Sequence, residues 1–530
     1  MSNLDIIIKN GKIIDGSGNP WISGDIGING ERIEKIGRRI EEDAKEIIDA
    51  KGLIVCPGFI DAHTHSDLAA ITDKQAFNYI TQGVTTNVIG NCGWSAAPIN
   101  EATVKDLLSL IAPDLDVDLT KLWKSFGDFL DFIEGLKLTI NLVPLIGHGT
   151  LRIAVLGLRK NPTPEELNEM KRLVENAMKS GAFGLSAGLE YLPGLFAKPK
   201  ELIELCKVVS KYNGIFTIHT RNEGDLGDKA IEEAISIAEQ SGVSLEISHL
   251  KLDGKRNWGK ADERLALLEN ARANEIEVTT DVYPYTFCMT SLHALLPNWL
   301  FEQGLEAVIP KLEKEEVQKR LEEYYQNGTS MLAPSDEKDW DRVILKNSKN
   351  PQFKGKSILE ISKNIQKNII DTLKTIIKSD GLAGMVVLKG MNEKDVLKIA
   401  EHPLSMVGSD GEVKKREDED IHPRYYGTFP RFLKKMVYDN NILKLEEAIR
   451  KMTSFPASKF NLKDRGLLKK GFFGDITIFN PKTLKDNATL EKPNRISEGI
   501  EYVITNGKIV YEKGETRRKY PGKIIRKQLQ

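Results

Sequence analysis

The chain has 530 residues, enough for roughly two to four ordinary domains unless one barrel takes a large share. Its 75 Lys and Arg against 76 Asp and Glu leave a formal charge of −1, so no overall field draws it to nucleic acid or to an anionic membrane. No apolar stretch approaches the roughly 18 residues of a membrane span, there is no basic start with a long apolar core, and four cysteines are too few for a disulfide framework, so a cytosolic location is expected.

The first sixty residues read as short strands with tight turns at Asn10-Gly11 and Asn29-Gly30. The far end repeats the theme in FGDITIFNP and EYVITNGKIVYEKGE, with a turn at Asn506-Gly507. Neither segment is large enough to fold alone, so residues 1–57 and 461–530 are expected to close on each other as one small β domain. Between them, 58–460 alternates β-rich runs with amphipathic helical stretches. The runs are GFIDAHTHSD (58–67), VTTNVIGNC (84–92), INLVPLIGHG (140–149), AFGLSAG (182–188), IFTIHT (215–220), SLEISH (244–249), EVTTDVYPY (277–285) and LSMVGSDG (404–411). Eight strands with intervening helices give an α/β fold, a (β/α)8 barrel of the TIM type, with polar residues at the C-terminal strand ends where such barrels build active sites. A doubly wound open sheet is the competing topology, and the polar strand ends weigh against it. The long interval after the seventh run, about 287–400, is Lys- and Glu-rich in stretches such as PKLEKEEVQKRLEEYY and reads as an inserted helical subdomain, over the barrel mouth or as a solvated embellishment. The GKS at 355–357 lacks the glycine a phosphate-cradling loop needs, because position 350 is Asn.

Five of the eight histidines, His63, His65, His148, His219 and His249, end predicted strands. His63 and His65 are one residue apart, so their side chains share a face and can reach one ion, although His-X-His can also be only a polar turn. Cys92 follows a strand in GNCGW, where its thiolate suits Zn²⁺; the other reading, a buried apolar thiol, is assigned to Cys56, Cys206 and Cys288. His219 and His249 end adjacent staves and could share an ion with Cys92 in a site that keeps one position open for water, the mark of a catalytic rather than a structural zinc. Asp410, in VGSDG, ends the eighth run beside His63 and His65. It is counted among the metal ligands, and it can take a proton from attacking water and deliver it to a leaving group.

Together PGFIDAHTHSD, GVTTNVIGNCG, IHTRNEGD, SHLK, DVYPYT, VGSDG and HPRYYGTFPRFL resemble the N-acyl-D-amino-acid deacylases (D-aminoacylases) of the amidohydrolase superfamily. The HTH-to-GSD part alone would indicate only the superfamily; GNCG with HPRYYGTFPR is the more specific pairing. The resemblance implies a zinc held tightly by Cys92, His219 and His249, a second, weaker metal position at His63 and His65, and Asp410 as general acid/base. It implies that Arg424, helped by Lys251 and Tyr283, receives the substrate carboxylate. Many amidohydrolases carry a carboxylated lysine on the fourth strand, whereas AFGLSAGLEY offers none, in keeping with Cys92 as the bridging ligand. The chain departs from the family where YPYTAGSTSL becomes YPYTFCMTSL, placing Phe287, Cys288 and Met289 where small residues are common. His148 has no assigned role, and His293, His402 and His422 are expected to be structural.

The reading that follows is zinc-dependent hydrolysis of N-acyl-D-amino acids to a carboxylate and a free D-amino acid. The D configuration rests on the resemblance. Hydrolysis of a cyclic amide, as in hydantoinases or dihydroorotases, is one alternative, and a catalytically silent barrel serving in assembly is another. A small-molecule N-acyl amino acid is the expected partner, without nucleic acid or membrane; the oligomeric state is left open, a homo-oligomer included.

Overall fold

The computed structural model describes residues 4–68, 71, 73–111, 117–302, 307–326, 334, 336–382 and 384–528. A nine-stranded sheet joins the two ends of the chain: Leu4–Ile13, Ile22–Asn29, Arg32–Gly37, Ala44–Asp49 and Ile54–Pro57 meet Ile476–Phe479, Ile500–Thr505, Lys508–Glu512 and Glu515–Thr516. The seam is the antiparallel pairing of Ile54–Pro57 with Ile476–Phe479. Alternation puts Ile6, Ile8, Ile26, Ile28, Val55, Ile476, Ile478 and Ile504 into one buried cluster, each such side chain worth about 1.5–3 kcal/mol of burial. Asp475 ties this layer to the body: its buried carboxylate pairs with Arg465 and accepts from the Asn506 N–H at 2.7 Å, while Asn506 Nδ2 donates to Asn141 Oδ1 at 2.8 Å. The chain end does not stay in that sheet. Around Ile524 it runs beside Leu142, where the Ile525 N–H donates to the Leu142 carbonyl.

The body is built on parallel strands: β1 (Phe59–Asp61), β2 (Val84–Ile89), β3 (Asn141–Pro144, continued by Ile146–Gly147), β4 (Gly184–Gly188), β5 (Ile215–His219), β6 (Ser244–Ile247), β7 (Val278–Val282) and β8 (Ser405–Val407). The strands β1, β2 and β3 form one parallel sheet. A second runs from Ile146–Gly147 through β4, β5, β6 and β7 to β8, every pairing parallel. At one edge the Phe183 N–H donates to the Pro144 carbonyl; at the other, Ala62 donates to Val407, Asp410 to His63 and His65 to Gly411. These strands are almost wholly buried, and the buried side chains include polar ones, among them Thr86, Asn87, Ser186, Thr217, Glu246 and Asp281, beside the apolar core.

Between β7 and β8 the described residues are mixed rather than helical, a correction to the sequence reading. Helices Val308–Leu312, Glu315–Gln326, Ile358–Ile365 and Ile369–Asp380 accompany a three-stranded antiparallel sheet of Cys288–Ser291, Met385–Leu388 and Val343–Leu345. Strands of three or four residues are too short to show a period, and the charged helices dominate the composition. Parts of the interval, including 303–306 and 327–333, lie outside the described residues. Helix Glu393–Glu401 packs on β7 and β8, so it continues the alternating βα pattern rather than the insertion.

Candidate metal centre

The site lies at the C-terminal ends of the parallel strands, where each chain leaves its strand sharply. Cys92, His249 and Asp410 all adopt left-handed backbone conformations, with φ of 50°, 36° and 50°. A non-glycine residue there costs about 1–3 kcal/mol, and such residues persist where the surrounding structure over-determines them for function. In GNCG the crowding is explicit: Gly90 has φ 84°, and a Cβ there would lie 2.1 Å from the Leu145 carbonyl oxygen. The Gly90 carbonyl is also held by the Ser186 hydroxyl, so the loop carrying Cys92 is pinned against β4.

Cys92 Sγ sits 3.3 Å from His63 Nε2, 3.3 Å from His249 Nε2 and 3.8 Å from His219 Nδ1, and the last two nitrogens are 3.0 Å apart. With Zn–S near 2.3 Å and Zn–N near 2.0–2.1 Å, a tetrahedral ion separates its sulfur and nitrogen donors by about 3.5 Å, so this donor set fits zinc. One donor atom each from His63, Cys92, His249 and Asp410 lies within 4.8 Å of the others. His65 approaches from the rim, its Nε2 3.0 Å from Asp410 Oδ1 and its side chain 28% exposed.

Behind these residues stand three buried carboxylates that the sequence reading did not single out. Glu190 Oε2 lies 2.8 Å from His219 Nε2, Glu223 Oε1 lies 3.0 Å from His249 Nδ1, and Asp281 Oδ2 lies 3.2 Å from His63 Nδ1. Each therefore fixes an imidazole so that its other nitrogen faces the sulfur, the usual support of a metal-binding histidine. The available signal was an acidic residue a few positions from a strand end, in GLEY, RNEGD and DVYPY, and such residues are common at any strand end.

Electrostatics agree with a site that expects a cation. Burial, with the Asp410 charge next, pushes the Cys92 thiol well up, so its thiolate needs a positive partner. Burial and the neighbouring Lys251 push His249 down to about 3, leaving it neutral and able to act as a ligand. Burial alone would raise the Asp410 carboxyl, but Arg424 first, then His249, His65 and His63, hold it well below the ordinary carboxylate range.

The expected substrate contacts divide. Arg424 lines the cavity above the site, with Nη1 2.8 Å from Asp410 Oδ2 and a buried Nε that meets no protein acceptor. Tyr283 is buried with its hydroxyl likewise unpartnered and its ring 5.0 Å from the Arg424 guanidinium. Lys251 lies deeper, its Nζ 2.6 Å from Glu223 Oε1 and 3.0 Å from His249 Nδ1. His148 is not in this cluster: its Nε2 meets Glu201 at 2.8 Å. Of the histidines expected to be structural, His402 pairs with Glu269, but His293 lines the cavity, and His422 accepts the Arg424 N–H at 2.9 Å.

Comparison with known proteins gives the same picture. A profile of the Amidohydrolase family matches residues 46–328 and 379–511. D-aminoacylase from Alcaligenes xylosoxydans xylosoxydans is 34% identical over 523 residues, covering 98% of this chain and 97% of that protein. The crystal structure of N-acyl-D-glutamate deacylase from Bordetella bronchiseptica, complexed with zinc and a phosphonate mimic of the tetrahedral intermediate, superposes with a TM-score of 0.83 at 30% identity, covering 99% of this chain and 100% of that one. A structure of D-aminoacylase described by its binuclear metal centre, with one-metal activation and second-metal attenuation, gives a TM-score of 0.83 at 32% identity and the same coverage.

Proposed function

This chain belongs to the amidohydrolase family, in the branch that holds the D-aminoacylases, and from that premise we propose that it hydrolyses N-acyl-D-amino acids to a carboxylate and a free D-amino acid with zinc as cofactor. The observation that carries the reading is the convergence of Cys92, His219, His249 and His63 beside an Asp410 already paired with a buried arginine. Cys92, His219 and His249 would hold the tight zinc; His63, His65 and Asp410, with Cys92 shared, would form the weaker position. When bound, zinc supplies Lewis acidity, polarising an amide carbonyl and making water a stronger acid at neutral pH.

The residues supply the rest. Asp410 is held ionised by Arg424, so at neutral pH it is ready to take the proton of attacking water and then hand it to the departing amide nitrogen. Arg424 offers its free Nε to the substrate α-carboxylate while another nitrogen stays on Asp410, which sets the scissile amide close to the base. The unpartnered Tyr283 hydroxyl is a second donor for that carboxylate, and Lys251 adds positive charge from behind Glu223. In the same reading the two parallel sheets, joined at both edges by the hydrogen bonds described, work as one eight-stave TIM-type barrel at 58–460. The terminal sheet acts as its small β domain, 1–57 with 461–530, and the segment at about 287–400 as the insertion. All four cysteines are free and buried, which suits a reducing cytosol.

Cyclic-amide hydrolysis is disfavoured by β4, where Gly184–Gly188 offers no lysine to serve as a metal ligand, whereas Cys92, 3.3 Å from His63 Nε2, would supply that ligand here. A hydantoinase structure from Arthrobacter aurescens, at 16% identity and a TM-score of 0.53, shares the fold alone. The test is release of free amine from matched N-acetyl-D- and N-acetyl-L-amino acids by zinc-loaded protein, with Asp410→Asn as control. Hydrolysis of the D series, lost in the variant, is expected. A zinc-bound protein inert toward both series would overturn the reading and make hydantoins the next substrates.

A further inference from the structure

The insertion supplies one wall of the cavity that opens on the metal centre. In its three-stranded sheet, Met289 and Ser291 alternate onto the same face of Cys288–Ser291, and Ser291 pairs directly across the ladder with Met385, its Oγ 3.9 Å from the Met385 Sδ. The same cavity is lined by Leu110 and Ile111, at the end of helix Val104–Ile111, together with Trp94 and Leu68. The cavity is about 230 Å³, and His65, Cys92, Asp410 and Arg424 form its floor. A substrate with its carboxylate on Arg424 and its amide at that floor directs its remaining substituents against this wall. With an acyl group as small as acetyl, the larger of these is the amino-acid side chain.

The charges around the cavity are already matched. In its described lining the one guanidinium, Arg424, is shared by Asp410 and the α-carboxylate, Glu412 pairs with Lys414 at 3.0 Å, and Asp67 is buried and accepts the Gly90 N–H at 3.0 Å. His293 adds no charge, because burial pushes its imidazole down to about 4. A second carboxylate on the substrate would thus be desolvated with no unpaired cation in the described lining to receive it. Thioethers, by contrast, are deformable apolar surfaces that accommodate chains of varied shape.

Resting on the deacylase reading, we infer that this cavity is the subsite for an uncharged, apolar D-amino-acid side chain, and that Met289 and Met385 of the inserted sheet are the residues that set this preference against acidic side chains. The chain would therefore differ in side-chain choice from the N-acyl-D-glutamate deacylase it resembles in overall structure.

The experiment compares kcat/KM for N-acetyl-D-Met, -D-Leu, -D-Gln and -D-Glu on the zinc-loaded full-length enzyme. D-Gln separates charge from shape, because it matches D-Glu in size without its charge. D-Met and D-Leu are expected to exceed D-Glu by at least about 100-fold, with D-Gln between. Met385→Lys and Met289→Lys, on two different strands, should each narrow the D-Met to D-Glu ratio by at least about tenfold. D-Glu cleaved as well as D-Met by the wild-type enzyme would overturn the assignment while leaving the deacylase reading intact, and this holds even if neither variant folds. No cleavage of any D substrate would remove the deacylase reading and the subsite with it.

Discussion

Two buried histidine clusters stand at the ends of parallel strands, and only one of them gathers a donor set that fits a metal ion. His148 follows β3 and donates through Nε2 to the Glu201 carboxylate, which also receives Arg152 Nη1 at 2.6 Å; the cluster contains its own cation, and His148 Nδ1 meets no partner. In the other cluster, His63, His219 and His249 each give one ring nitrogen to a carboxylate and turn the other toward the Cys92 sulfur. A buried histidine paired with glutamate is therefore not in itself a ligand. What distinguishes the candidate metal centre is the second nitrogen's direction, together with the left-handed backbone at Cys92, His249 and Asp410.

The largest effects should follow that division. Cys92→Ala is expected to bring bound zinc from about one ion per chain toward zero and to lower kcat/KM by about 1,000-fold or more. His148→Gln should keep its zinc, measured by elemental analysis, and show its cost in stability instead, about 2–4 kcal/mol in urea unfolding. Zinc loss in the His148 variant would erase the distinction. Asp410→Asn comes next: zinc at the tight position is retained while kcat falls by about 100- to 10,000-fold, the range for removing a general acid/base. Glu223→Gln tests the supporting layer. By removing the charge that orients His249 and holds Lys251, it should weaken zinc binding by about 10- to 100-fold in a chelator competition. An unchanged zinc affinity would show that Glu223 serves Lys251 alone.

The sequence exposed the first layer of this site and little beyond it. His63, His65, Cys92, His219, His249 and Asp410 were legible because each is a rare or chemically marked residue at the end of an apolar run, and the structure brings them together. Glu190, Glu223 and Asp281 were not, because an acidic residue near a strand end is ordinary and only three-dimensional contact reveals which imidazole it holds. The same limit hid His293, whose place on the cavity depends on an insertion with no readable period. The pairing of the chain's two ends was legible from Asn-Gly turns and alternating isoleucines. The return of the chain around Ile524 to Leu142 was not, since a single short pairing leaves no pattern.

The mildest expected effect, which leaves the zinc site untouched at neutral pH, sharpens the comparison from the cluster without metal. Burial alone would raise the Glu201 carboxyl, but His148 and Arg152 overcome it and lower it from an ordinary 4.5 to about 2. A group depressed on folding stabilises the native state fully above its unfolded value and loses that contribution as the pH falls toward its folded value. The window is therefore about pH 4.5 down to about 2, and the contribution lost across it is on the order of 3 kcal/mol. Glu201→Gln has no such carboxyl, so the difference in urea midpoint between wild type and variant should be greatest at pH 6–7 and shrink steadily below pH 4.5. Both proteins lose zinc in acid, so comparing them without metal throughout leaves the difference as the readout. Parallel curves down to pH 3 would mean that the Arg152–Glu201–His148 cluster does not hold its glutamate ionised, and the contrast between the two clusters would lose its electrostatic basis.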